Sequence, residues 1–395
     1  MQIRNCMKRE TACVLSVVEI WLIIAHVGLA HDGAPQCGAR LPAPRPRPIR
    51  MNTTHELAQE CGWCYAQAEK MLRCGKCKKR AYCSKPCQLN DWKLGLHKQW
   101  CGNSGEFGHD VVARSTNDGQ FGMFATRHFA RGAKLLVERW AATKKGTSLS
   151  DSDISEGMRQ AAIKLMPRET SDVASKFKLN AFETPDGSEG LYIHFAYANH
   201  SCMPNASHHS ITSPIGLKIL VASRAIEPDE EVCIQYVSVE GEAKLAQRGQ
   251  PIGSVFREWW GFECECVACE TPALRAELTR MCELDSAIVA CTASDVREPE
   301  GPRRFDEALC QGAELISLYD ELRVSPAHYV RTYHLLFQLS VTRRTTLAQA
   351  RKYIQLAWEN QLLLVGRETA CEEASRLAEL VRAPETHQAY LAGEA

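Results

Sequence analysis

Between Phe107 and Trp140 the chain alternates short apolar runs with glycine and polar breaks, at Asp110 to Arg114, Phe121 to Ala125 and Ala133 to Val137, which predicts a small β-meander. From Ser152 to Lys178 the period changes. Ile154, Met158, Ala161, Ala162, Leu165 and Met166 fall at helical spacing. A hairpin at Pro185 to Gly190 follows, and the apolar and aromatic run Leu191 to Tyr197 then predicts a strand entering a turn that Pro204 constrains. Leu217 to Arg224 and Glu231 to Val237 predict two further strands, joined by Val239 to Arg257, a helix or loop, to the aromatic stem Trp259-Trp260-Gly261-Phe262. Past Thr271 the pattern is helical throughout. Apolar faces at Leu274 to Ile288, Ala308 to Leu322, Tyr329 to Leu339, Leu347 to Val365 and Cys371 to Val381 predict antiparallel helical hairpins.

The N-terminal stretch departs from this pattern. Arg4, Lys8 and Arg9 precede an apolar run from Thr11 to Ala30 that has the outline of a signal peptide or anchor. Glu19 lies in mid-run and would cost about 3 kcal/mol inside a bilayer, so a membrane location is disfavoured and the anchored or secretory route is kept as the alternative. Residues 34–50 carry five prolines and four arginines and predict a stiff extended linker.

With 395 residues, two or three domains are expected. The 47 basic and 47 acidic side chains cancel, which removes the usual electrostatic footprint of direct nucleic-acid binding. Nineteen cysteines are many, yet they cluster in close pairs with a histidine nearby, a pattern of metal binding rather than of a disulfide scaffold. Cys61-x2-Cys64, Cys74-x2-Cys77, Cys83-x3-Cys87 and His97-x3-Cys101 supply eight ligands, enough for two tetrahedral zinc sites. Spacing leaves open whether adjacent or alternate pairs combine. Redox thiols would give His97 no place. Cys264-x-Cys266-x2-Cys269 provides three more thiols, and Cys202 is the evident fourth. The other eight cysteines, Cys6, Cys13, Cys37, Cys233, Cys282, Cys291, Cys310 and Cys371, read as ordinary thiols of a reducing compartment.

Asn199-His200-Ser201-Cys202-Met203-Pro204-Asn205, then Glu230-Glu231 with Tyr236, then the C-x-C-x2-C run, resemble the SET-domain protein methyltransferases. Ala81-Tyr82-Cys83-Ser84-Lys85-Pro86-Cys87-Gln88 with Asp91-Trp92 and His97 resembles a MYND zinc finger. Together they suggest the SET and MYND domain-containing lysine methyltransferases, here with the finger ahead of the SET domain. The fold so implied is α+β: short SET sheets with a zinc-bound post-SET tail, a small finger before them and an α-helical region after. Its expected divisions are 1–50 (leader and linker), 51–104 (finger), 105–262 (SET domain with a helical insert at about 141–178), 263–270 (post-SET segment) and 271–395 (helices).

The resemblance also implies roles. One finger zinc would take Cys61, Cys64, Cys83 and Cys87, the other Cys74, Cys77, His97 and Cys101, and the post-SET zinc Cys202, Cys264, Cys266 and Cys269. S-adenosylmethionine would lie against Gly122, Met123, Asn180, Asn199, His200, Tyr236 and Phe262. Phe182, Tyr197 and Trp260 would line the lysine tunnel, and Tyr236 would orient amine and methyl. Gln120 stands where the family's first turn glycine is found, with Gly119 one residue early. Expected partners are a histone or other protein lysine as substrate, and proline-rich peptides on the finger over Trp92 and Trp100, with no sequence-specific nucleic acid. The expected location is nucleus or cytoplasm. A catalytically weak scaffold that recruits partner proteins is the alternative. In-line methyl transfer needs a neutral amine, and presenting one at pH 7 costs about 4.6 kcal/mol for a lysine titrating near 10.4.

Overall fold

The computed structural model describes residues 60–391 apart from 117–119, 145–153, 166–171, 185–186, 212–215, 238–251, 294–300 and 366–371. The apolar run at 11–30, the proline-rich linker, Met166, Cys6, Cys13, Cys37 and Cys371 lie outside the described residues.

The finger is built on a two-stranded ribbon, β1 (Leu72–Arg73) and β2 (Ala81–Tyr82), followed by helices α1 (Lys85–Lys93) and α2 (His97–Trp100). Ser84 caps α1 by accepting the Cys87 N–H, and Pro86 sits in the first turn, where its missing N–H has no cost. The finger has little apolar interior of its own beyond Tyr82 and the cysteines. Arg80 ties it together through Asp91 at 2.8 Å and the Gly62 carbonyl at 2.5 Å.

Next come the hairpin β3 (Val111–Ser115) and β4 (Phe121–Ala125), then β5 (Lys134–Arg139) and β6 (Ala142–Lys144). The insert forms two helices, α3 (Glu156–Ile163) and α4 (Val173–Asn180), before β7 (Ala181–Glu183) and β8 (Glu189–Leu191). The predicted strand through Tyr197 stops at Leu191. A 3-10 turn at Phe195–Tyr197 replaces it, because the backbone N–H groups of His194 and Phe195 bond the buried carboxylate of Glu138 instead of a neighbouring strand.

The remaining strands are β9 (Asn199–His200), β10 (Ala206–Ile211), β11 (Leu217–Ala222) and β12 (Cys233–Ile234). β11 lies between β10 and β5, antiparallel to both, and β8 lies between β6 and β7. All six residues of β11 are buried because it is covered on both faces. Leu217, Ile219 and Val221 meet Leu96 and Trp100 of the finger, whereas Leu220 and Ala222 join Phe129, Leu136 and Phe195 in the main core. Trp100 is therefore sealed beneath the finger and is not available to line a peptide groove, contrary to the sequence expectation.

After α5 (Ile252–Trp260) and the short α6 (Val267–Glu270) the chain is helical: α7 (Pro272–Ala293), α8 (Gly301–Leu322), α9 (Pro326–Ser340), α10 (Leu347–Val365) and α11 (Glu372–Arg382). Met281, Leu284 and Ile288 of α7 pack with Leu315, Leu318 and Tyr319 of α8. Arg331 of α9 clamps buried Asp285 with two bonds of 2.9 and 3.0 Å. No described helix is long and apolar enough to cross a membrane.

Candidate active site and metal centres

Three groups of four ligands converge: Cys61, Cys64, Cys83 and Cys87; Cys74, Cys77, His97 and Cys101; Cys202, Cys264, Cys266 and Cys269. Within each group the ligand atoms lie within 4.8 Å of one another. Sulfur pairs within the groups include Cys64–Cys83, Cys83–Cys87, Cys74–Cys101 and Cys202–Cys269 at 3.6 Å, Cys64–Cys87 at 3.8 Å and Cys202–Cys264 at 3.9 Å. A tetrahedron with Zn–S bonds of about 2.3 Å has edges of about 3.8 Å, so the spacing fits zinc. His97 brings Nε2 to 3.5 Å from the Cys77 sulfur, and burial pushes its pKa down to about 4, leaving the neutral imidazole that metal binding requires. Alternate pairs combine in the finger, one of the two arrangements that spacing allowed.

The centre of the sheet region between the finger and the C-terminal helices is made by strands distant in sequence. β9 and β12 pair in parallel, Asn199 opposite Cys233 and His200 opposite Ile234, so the Asn-His dipeptide and Tyr236 come together. Asn205 fastens this pairing: its amide donates to Glu230 at 2.9 Å and to the Glu231 carbonyl at 2.8 Å, while its own oxygen accepts the Cys233 N–H at 2.8 Å. It is 3% exposed, so all three bonds are made out of competition with water.

Asn199 is oriented by its neighbours. Its side-chain amide donates to the Phe121 carbonyl at 3.1 Å and to Glu231 Oε1 at 2.8 Å, which leaves Oδ1 as its remaining acceptor. His200 accepts the Tyr236 N–H on Nδ1 at 3.2 Å, so its proton belongs on Nε2, 3.4 Å from the sulfur of Cys202. Burial lowers its pKa to about 4. The Tyr236 hydroxyl donates to the Ala198 carbonyl at 3.1 Å, and burial raises its pKa, keeping it a protonated donor. Around these groups stand Phe256, Phe262 and Trp260: Tyr236 and Trp260 have ring centroids 5.3 Å apart, His200 and Phe256 4.2 Å, and Phe256 stacks on Phe262 at 5.4 Å.

Gly122 belongs to the same place. A β-carbon there would meet Glu231 Oε1 at 2.5 Å and the Asn199 amide nitrogen at 3.2 Å, so only glycine lets β4 approach this pair. Met123 next to it turns its side chain into the core, and its carbonyl accepts the Val232 N–H at 2.7 Å. Asn180 bonds the Lys176 carbonyl at 2.7 Å at the end of α4. Phe182 and Tyr197 lie in other aromatic groups, Phe182 against Tyr192, Phe195 and His208, Tyr197 against Phe107 and Phe121. Glu231 and Asn205 were not singled out as site residues from sequence. The available signal was the acidic pair two residues before a β-branched strand, a poor place for a surface charge.

A half-buried aromatic wall, an oriented amide, a neutral imidazole and a tyrosine hydroxyl can bind a polar, flat ligand and align a transfer.

The family described as SET domain matches residues 120–237, and the MYND finger matches residues 61–101. The N-lysine methyltransferase SMYD2 of Sus scrofa is 25% identical over 244 residues, which cover 55% of this chain and 52% of that protein. The histone-lysine N-methyltransferase SMYD3 of Mus musculus is 27% identical over 248 residues, 55% of this chain and 53% of its own. The chain spans about half the length of the curated relatives it matches.

Proposed function

The chain carries a MYND finger followed by a SET domain, and we propose that it is an S-adenosylmethionine-dependent protein-lysine N-methyltransferase. The observation that carries this reading is the parallel β9–β12 pair, which gathers Asn199, His200 and Tyr236 beside Gly122, under aromatic rings held by the third metal cluster. Asn199, His200, Gly122 and Phe262 hold the cofactor, with Met123 contributing backbone and Asn180 closing the far side. Tyr236 presents its hydroxyl to the amine, and Trp260, whose ring centroid is 5.3 Å from that of Tyr236, shapes the approach of the lysine; Phe182 and Tyr197, the other two residues expected there, pack in separate aromatic groups. The bound cofactor supplies an electrophilic methyl. The chain excludes water around it, lowers the lysine pKa by desolvation and fixes the line of attack.

The same proposal takes three zincs, two in the finger and one joining Cys202 to the 264–269 segment, supported by the three groups of four converging ligands. The substrate is a lysine of a histone or another protein, in nucleus or cytoplasm. Proline-rich peptides would meet the finger over Trp92 and the exposed Leu72, Leu89 and Leu94, not over Trp100. The test is methyl transfer from radiolabelled cofactor to a panel of histones and lysate proteins. Tyr236→Phe should slow turnover about a hundredfold by losing alignment while cofactor still binds. Equal rates in wild type and Tyr236→Phe would remove Tyr236 from the mechanism.

A further inference from the structure

Glu138 is an acid in a strand whose central residues are otherwise apolar, and it is 3% exposed. A buried carboxylate persists only where donors surround it. It accepts the Tyr65 hydroxyl at 2.7 Å, the His194 N–H at 2.9 Å and the Phe195 N–H at 3.0 Å, and lies 3.3 Å from His194 Nδ1.

Two of these partners are governed by the finger. Tyr65 directly follows the metal ligand Cys64, and Glu60, which directly precedes Cys61, lies 3.5 Å from His194 Nε2. Phe107 holds the other face of His194, stacked at 3.9 Å. His194 and Phe195 in turn open the 3-10 turn whose end delivers Ala198, the acceptor of the Tyr236 hydroxyl, and then Asn199. The first ligand cluster and the proposed cofactor site are therefore joined by one series of buried and half-buried contacts.

We propose that Glu138 is a positioning residue through which the finger's first metal cluster orders the 195–200 segment, so that the finger regulates cofactor binding from within the chain. This rests on the methyltransferase reading for its consequence, though not for its structural part. Without metal, the Cys61–Cys64 loop no longer fixes Tyr65 and Glu60. Glu138 loses its hydroxyl donor, His194 loses its flanking acid, and the turn opens locally.

The test uses the full zinc-loaded chain and the variants Tyr65→Phe and Glu138→Gln. Amide hydrogen exchange at Ala196, Tyr197 and Ala198, which donate to the carbonyls of Tyr192, His194 and Phe195, reads the coupling without cofactor. Tyr65→Phe should speed exchange there about tenfold, with zinc content and exchange in the 274–288 helix unchanged, and Glu138→Gln should do more. S-adenosylmethionine should bind Tyr65→Phe about tenfold more weakly, equivalent to about 1.4 kcal/mol. Unchanged exchange at all three amides in folded Tyr65→Phe overturns the proposal, whether or not Glu138→Gln folds. Faster exchange in a protein that binds no cofactor even as wild type upholds the coupling and overturns the methyltransferase reading instead.

Discussion

Gly122 gives the sharpest prediction about the site. In Gly122→Ala the new β-carbon would stand 2.5 Å from Glu231 Oε1, 3.1 Å from Thr116 and 3.2 Å from the Asn199 amide. Ordinary contact begins near 3.4 Å, so the carboxylate must retreat by about 0.9 Å, and the 2.8 Å bond that orients Asn199 cannot survive the move. Overpacking costs about 1–3 kcal/mol and a hydrogen bond to a charged group about 1.5–3 kcal/mol, some of which the shifted Glu231 regains from solvent. A net loss of about 1.5–3 kcal/mol falls on the binding-competent arrangement. Cofactor affinity should therefore drop roughly 10- to 150-fold. Isothermal titration of wild type and variant reads this directly, and Gly122→Ala with Glu231→Asp, which shortens the obstructing side chain, should recover part of the loss. Undiminished affinity in the single variant would refute the argument that Asn199 acts through its Glu231 bond.

Other outcomes follow from the same reasoning. Cys202→Ser should lower bound zinc from three to two per chain by metal analysis and abolish cofactor binding, because Cys202 shares the cluster with the segment after Phe262. Lys218 is 1% exposed, bonded to Ser210 and set against Phe182 and Tyr192, and burial pushes its pKa down to about 7. Unfolded, it titrates near 10.4, so between about pH 7 and 10 the unfolded state holds the extra proton and stability from this group rises with pH, by about 1.4 kcal/mol per unit. Lys218→Met should therefore be more stable than wild type at pH 7, with the advantage shrinking toward pH 10 in denaturant melts; a constant difference would contradict it. Arg343 is 3% exposed and stacks on Phe305 at 3.6 Å, and its Nε and Nη2 are buried without acceptors. Arg343→Met should leave the melting temperature unchanged or raise it, since an unpaired buried charge is costly.

The metal clusters were legible because ligand spacing reflects coordination geometry directly, and the partition of the finger ligands became definite only when the fold brought alternate pairs together. The helical tail was equally legible, since a long amphipathic period has few competing explanations. The strand expected at Leu191 to Tyr197 was not. Its apolar run is real, but the bonding partner of its backbone is a side chain, Glu138, more than fifty residues earlier, which no local pattern reports. Trp100 failed for a related reason: an aromatic in a small finger looks like a contact surface until β11 is seen to lie over it. Asn199, His200 and Tyr236 could be named from the motif, yet the groups that aim them, Glu231, Asn205 and Glu138, are ordinary acids and amides whose importance comes from burial.

The central claim is that the site around Asn199, His200 and Tyr236 holds S-adenosylmethionine, and its most direct test is isothermal titration of the zinc-loaded chain with that molecule. The account predicts micromolar binding at one site per chain, lost in the Asn199→Ala, His200→Ala double variant. A folded protein with all three clusters filled and no detectable binding would contradict it.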